Sequence, residues 1–413
     1  MLAAVLTLVG CPAPGTPVVT IDVEGDVVGL YDLPLAGVVV RTGDTVTVTD
    51  ATGRFSLAEV ASPYDLVLSK DEDGGWVHVF EGLTGTAPRL VPDRSDKTPL
   101  TAFAQTTLGG TVALGFPLPS DRRVIVCVEG LDAVVAGCDR VEAGGTEYEL
   151  TARWAPGPPA EVRVHALAVE LDAGLPVAYP GYGAFPMTLE AGVPATLDLS
   201  YPVTPTTSTL TATLIPVGGA TLDAAAVSVR LGEHLTMQLH EGVPPGGALS
   251  LLVPDVGSGY EVFVVSRSQK EVGFAWRARA TTAFGEIRLA AGPQLLGPPE
   301  GMMDADLDTA FSASVNPEGA MTFHWVPEAT GARFAVTTRR TSVTLPDPAD
   351  AGFPWPGGSA YAWSAYAHGT TSVDAAAGMG LMRVYGAVRP GGPGWGADGD
   401  LTLHAPRSLG WAP

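Results

Sequence analysis

Lysine is nearly missing from this chain. Three of its 23 basic residues are Lys70, Lys97 and Lys270, set against 44 acidic residues and a formal net charge of -21. A nucleic-acid binder needs a basic footprint to neutralise phosphates, so no nucleic-acid partner is expected, and direct contact with anionic headgroups is disfavoured for the same reason. Cysteine is equally scarce, at three residues, and a zinc site built from cysteine is not expected. Long apolar runs are missing too: none reaches the ~20 residues of a spanning helix, and the nearest, Ala375 to Met382, is bounded by Asp374 and Arg383.

The patterns of catalysis are absent as well. There is no Gly-x-Ser-x-Gly elbow, and His234 and His240 do not make the i, i+4 pair of a zinc hydrolase. Asp304, Asp306 and Asp308 alternate as in a calcium loop, but Thr309 stands where that loop needs glycine and Val315 where it needs glutamate. Asp71 to Gly75 and Asp398 to Asp400 read as turns. A glycosidase carboxylate pair is expected in a larger single domain than any block here. No catalytic residue, metal site or cofactor is assigned, and the chain is read as a non-enzyme.

What is present is punctuation. The 51 glycines and 36 prolines are scattered between apolar runs, and apolar residues make up 46% of the chain. That is the texture of many short strands and turns. At roughly 100 to 150 residues per domain, 413 residues predict three or four domains. Strands are expected within Val18 to Asp22, Val27 to Gly29, Leu33 to Arg41, Val46 to Leu57 on either side of its turn, and Pro63 to Leu68, where Tyr64, Leu66 and Leu68 make a period-2 face. Asp50 to Gly53 is a turn between two of them. Val227, Val229 and Leu231, then Leu235, Met237 and Leu239, alternate on either side of Gly232-Glu233-His234 and predict a hairpin. Gly247 to Leu252 followed by Tyr260 to Val264 echoes Gly53 to Leu57 followed by Tyr64 to Leu68, which argues for related modules in series. The expected fold is all-β, a tandem array of Ig-like or transthyretin-like β-sandwiches over 18–95, 104–202, 205–291 and 293–390, with a tail at 391–413.

Three stretches resemble known families. Leu8-Val9-Gly10-Cys11 resembles the lipobox of bacterial lipoproteins. The resemblance implies a signal peptide over 1–10, lipidation of Cys11, a Pro-rich tether over 11–17, and anchoring to the membrane through that lipid. Several acyl tails at ~0.8 kcal/mol per methylene make such an anchor effectively permanent. Pro12 in place of Asp favours the outer membrane, facing the periplasm or the surface. Pro34-Leu35-Ala36-Gly37-Val38-Val39-Val40, Thr49 to Phe55 and Tyr64-Asp65-Leu66 resemble the carboxypeptidase regulatory-like domain, a transthyretin-like sandwich that does no chemistry itself. The His-x-x-Glu of the metallocarboxypeptidases is absent. Met321 to Trp325, Ala332 to Val336, Val343 to Pro346 and Tyr361 to Ala367 resemble a fibronectin type III domain, with Trp325 as the core Trp of strand B, Tyr361 on strand F, and a further strand after Ala375 completing the sheet.

Two expectations concern side chains outside these motifs. In an oxidising compartment Cys127 and Cys138 pair across a hairpin turned by Gly130 to Asp132; the other reading is two separate buried thiols. Trp325, Trp355, Trp363, Trp395 and Trp411 are five of the eight tryptophans and lie in the last block. Trp355, Tyr366 and Trp395 are the candidate ligand-binding rings, for stacking on a glycan or peptide, with packing over a sandwich end as the other reading. The function expected is a lipid-anchored envelope spacer or protein-binding scaffold, the alternative a glycan- or peptidoglycan-binding accessory protein.

Overall fold

Period-2 alternation becomes strands throughout the computed structural model. It describes residues 19–29, 34–71, 75–92, 103–112, 117–131, 135–216, 219–232, 235–268, 271–289, 291–314, 319–329, 331–353, 359–369, 371–379, 399–404 and 407–411. The chain is an all-β array of β-sandwiches. The first is built from β1 (Thr20–Val27), β2 (Val39–Thr42), β3 (Thr45–Val48), β4 (Arg54–Ala61), β5 (Tyr64–Lys70), β6 (Trp76–Leu83) and β7 (Arg89–Leu90). One of its sheets runs β4-β1-β7 and the other β6-β5-β2-β3. Phe55, Leu57, Tyr64, Leu66 and Leu68 all point into the core between them. The turn at 50–53 closes with Gly53 N–H donating to Asp50 O at 3.0 Å. Gly53 has φ +77° and a Cβ there would stand 2.6 Å from Val27 O, so a side chain is excluded twice over.

The second sandwich comprises β8 (Ala104–Thr111), β9 (Arg122–Gly130), β10 (Val135–Ala136), β11 (Cys138–Val141), β12 (Glu147–Trp154), β13 (Ala160–Asp172), β14 (Leu175–Leu189) and β15 (Ala195–Thr196). Its sheets are β10-β12-β8-β15 and β11-β9-β13-β14. The third comprises β16 (Thr207–Ile215), β17 (Thr221–Arg230), β18 (Thr236–Glu241), β19 (Ala248–Pro254), β20 (Gly259–Arg267), β21 (Glu271–Arg279) and β22 (Ala283–Arg288), as β19-β16-β22 and β18-β17-β20-β21. The hairpin expected at 227–239 is β17 against β18, with Val229 opposite Met237. The echo between the first and third blocks is topological: in both, the first strand pairs antiparallel with the fourth and parallel with the seventh. The second block repeats the same plan, with β8 antiparallel to β12 and parallel to β15.

The last block contains β23 (Leu295–Gly297), β24 (Met302–Ala305), β25 (Phe311–Ala313), β26 (Met321–Pro327), β27 (Arg333–Thr338), β28 (Ser342–Val343) and β29 (Ala360–Ala367), then the helix α1 (Val373–Ala377), β30 (Gly399–His404) and β31 (Arg407–Trp411). The small sheet is β23-β25-β28, facing a larger one through β29, β26 and β27. Trp325 and Tyr361 are both fully buried, but Trp325 lies on the fourth strand of its block, not the second, directly opposite Trp363. The strand expected after Ala375 falls largely outside the described residues; where that stretch begins, the chain forms α1. Ser372 caps it, its Oγ accepting from Ala375 N, and an alanine run is the best helix former available. Its buried face, Val373, Ala376 and Ala377, has the i, i+3, i+4 spacing of a helix stripe and packs into the core of the first sandwich.

The modules are not strung in sequence order. Among the described residues one sheet of 14 strands runs β18-β17-β20-β21-β30-β29-β26-β27-β6-β5-β2-β3, with β24 and β31 branching off it. It passes from the third sandwich through the C-terminal strand β30 into the fourth, and by a parallel pairing of β27 with β6 into the first. The stretch read as a tail therefore carries two strands, and one of them joins two modules.

Candidate functional site

Buried polar groups collect where the modules meet, and each meeting point has its own chemistry. At the joint of the first and fourth sandwiches, β27 and β6 bring Ala335 level with His78. His78 Nε2 lies 2.8 Å from the Thr337 hydroxyl, which lies 2.7 Å from that of Thr322, which lies 2.9 Å from His368 Nε2. All four residues are at most 2% exposed. Burial holds His78 well below the usual imidazole range, helped by neighbouring His324 and His368, and pushes His368 down to about 4. Both rings are thus neutral near pH 7, and hydroxyls that can both donate and accept complete the chain between them.

Asp374 at the start of α1 is the second tie of that joint. Its carboxylate accepts from Thr84 N at 3.0 Å, Gly85 N at 2.9 Å and the Thr84 hydroxyl at 2.8 Å. Burial pushes this carboxyl up, but the hydrogen bonds outweigh it and leave it below its ordinary value. Tyr64 donates to Gly85 O at 2.6 Å, and burial followed by the nearby Asp374 charge raises its hydroxyl to about 12. Arg340 closes the rim on Glu81, its Nε 2.8 Å from Oε2.

The second and third sandwiches meet through the outer face of β9 and β13. Ile125, Cys127, Leu167, Val169 and Tyr179 enter the core of the third sandwich, and Tyr179 donates to Leu252 O at 2.9 Å. On the same face His165 Nε2 lies 2.9 Å from Glu129 Oε2, and its Nδ1 lies 2.7 Å from the Tyr182 hydroxyl. A neutral imidazole protonated on Nε2 satisfies both contacts, donating to the carboxylate and accepting from the phenol. Burial lowers the His165 pKa against the opposing pull of Glu129, and burial raises that of Tyr182. Carboxylate, imidazole and hydroxyl stand in the order of a nucleophile relay. Here Glu129 and His165 are buried at 6% and 2% exposure, and the line ties together three neighbouring strands of one sheet, β9, β13 and β14, on the face that meets the third sandwich.

The residues singled out in the sequence are placed as follows. Cys127 and Cys138 face each other across β9 and β11 and are bonded, with Cα atoms 4.1 Å apart. Tyr366, expected as a stacking ring, is 1% exposed and packs with Phe263, Phe274 and Trp276 at the joint of the third and fourth sandwiches. It has no face left for a ligand, because β30 brings β21 and β29 into one sheet. Cys11, Trp355 and Trp395 lie outside the described residues. Asp306 Oδ1 accepts from Asp308 N and the Thr309 hydroxyl, which makes the aspartate run a turn. No group of three or more metal-ligating side chains comes together among the described residues.

No family model matches the chain. No curated protein sequence matches it either. Among solved structures it is similar to the Bacillus anthracis TIE protein, at TM-score 0.16 and 11% identity over 65% of this chain and 49% of that one. It is also similar to BcpA, the major pilin subunit of Bacillus cereus, at TM-score 0.15 and 11% identity over 65% of this chain and 99% of that one. The FN1–FN3 domains of chicken CNTN1 follow at TM-score 0.14 and 9% identity, over 62% of this chain and 93% of that one. The chain spans about half the length of the TIE protein. The assignment of sandwiches rests on the strand pairing itself.

The joint residues were missed in the sequence, although a signal was there. Glu129 ends the apolar run from Val124 to Val128, and His165 stands with Arg163 inside the otherwise apolar stretch from Val162 to Val169. A charged or titratable group inside a strand buried on both faces must find a partner.

Proposed function

We propose that this protein is a non-enzymatic, lipid-anchored cell-envelope scaffold, held to the membrane through Cys11 and presenting its sandwiches as one body. The observation that carries the reading is the sheet that crosses three modules through β30 and the β27–β6 pairing. Flexible spacers leave their modules joined by linkers alone, whereas here modules distant in sequence share main-chain hydrogen bonds and buried side chains. The polar side chains at the joints are held by hydrogen bonds and ion pairs to neighbouring protein groups, which suits a load-bearing connection and not turnover. The lipobox at Leu8 to Cys11 supplies the attachment, and Pro12 directs it to the outer membrane.

The test is fractionation of cells expressing the full chain or its Cys11→Ala form, combined with protease treatment of intact cells. The reading expects the wild type in the membrane fraction and the variant released as soluble, folded protein. Membrane association that survives Cys11→Ala would refute the anchor.

A further inference from the structure

A shallow cleft of about 310 Å³ lies on the second sandwich, over β8 and β12, with Gly192 and Pro194 on its rim. The register sets Thr107 opposite Thr151 and Gln105 opposite Arg153. Strand alternation therefore turns these four to one side, away from Leu108, Leu150, Ala152 and Trp154, which fill the core on the other. The wall is fixed by Gly192 N donating to Gln105 O at 2.8 Å and by the Thr106 hydroxyl donating to Val193 O at 2.5 Å. Arg153 is the only charged residue of the lining. Among the described residues it has no ion-pair partner, and its Nε is shut off from solvent with no acceptor. In a chain with 44 acidic residues to 23 basic ones, an arginine left without a carboxylate, in a cleft that contains none, is poised to receive one from outside.

We propose that this cleft binds an acidic sugar unit, with the sugar carboxylate on the Arg153 guanidinium and its hydroxyls on Thr107, Thr151 and Gln105. The planar fork of arginine matches a carboxylate with two parallel N–H donors. Threonine hydroxyls and the glutamine amide both donate and accept, as sugar hydroxyls require. The lining holds no aromatic ring and, besides Pro194, no aliphatic side chain, which disfavours large hydrophobic acids, and a phosphate dianion calls for more than a single cation. The cleft sits at the small end of the ~300–1,000 Å³ of ligand sites, the size of one unit and not of a long chain. This inference does not rest on the anchoring at Cys11.

The experiment is a calorimetric titration of the purified protein with glucuronate at low ionic strength. Glucose, acetate and inorganic phosphate serve as probes that each lack part of the ligand. Glucuronate is expected to bind at least tenfold more tightly than any of the three. Arg153→Gln is expected to weaken it at least tenfold and Thr151→Val severalfold, while Arg54→Gln, on a different sandwich, changes nothing. Thermal melts matching the wild type confirm that each variant is folded; should Arg153→Gln fail to fold, Thr151→Val and Gln105→Ala carry the comparison. Equal affinity for acetate or phosphate would reduce the site to a bare anion contact and overturn the sugar assignment. Absence of saturable glucuronate binding, or binding untouched by the cleft variants, would overturn the site itself.

Discussion

Trp325 and His368 show how differently two fully buried side chains hold this protein. Trp325 is packed edge-on against Phe311 with ring centres 5.0 Å apart. Its replacement by alanine leaves a cavity the surrounding sheets cannot close, and a loss of about 3–5 kcal/mol in denaturant unfolding is expected. His368 acts through its protons. Its folded-state pKa is depressed to about 4 by burial, against ~6.5 when unfolded. The unfolded chain therefore binds the proton first, so the stabilisation is complete above about pH 6.5 and is lost as pH falls toward 4. The single-site effect is on the order of 3 kcal/mol, and His78 acts in the same direction. Unfolding measured across that pH range is expected to show a shallower acid slope in His368→Gln than in the wild type. Trp325 stands in a strand whose alternation is readable, whereas His368 follows the end of β29 and its burial inside a joint is not readable.

β30 has an unusual place for a C-terminal strand, because it pairs with β21 on one side and β29 on the other. Truncation before residue 399 uncovers both edges, and unpaired edges are templates for association. Hydrogen exchange is expected to show faster exchange in β21 and β29 of the truncated protein, with β1 and β4 unchanged, and sedimentation to show self-association. The helix α1 illustrates the same principle in a smaller element. Its apolar spacing and serine cap are visible in the sequence, but that its buried face enters the core of the first sandwich is not. The edge strand β14 was missed for a different reason: Pro176, Pro180 and Pro186 interrupt its pattern, and proline is tolerated where one side of a strand has no ladder partner.

The described joints link the second sandwich to the third, the third to the fourth and the fourth to the first. Spatial order thus departs from chain order, and the covalent link between the first and second modules is not what holds the first in place. If a protease site is introduced within 93–102 and cut, the two pieces are expected to stay together in gel filtration under native conditions. They should separate only on denaturation. Dissociation on cutting would show the β27–β6 joint to be too weak to hold the scaffold.

Local chemistry was sufficient for strands such as β5 and β17, the turn at 50–53, the hairpin at 227–239 and the echo between the first and third modules. Each depends on alternation, on glycine and proline positions, and on neighbours a few residues apart. The partners of His78, Tyr366 and Asp374 were decided by the tertiary structure, because each lies across a joint between segments distant in the chain. Thr84 and Asp374 are 290 residues apart and His78 and Thr337 are 259 apart, and no periodicity in one strand specifies which edge of another module it will meet. That choice follows from which exposed edges and apolar faces remain once every sandwich has closed its own core.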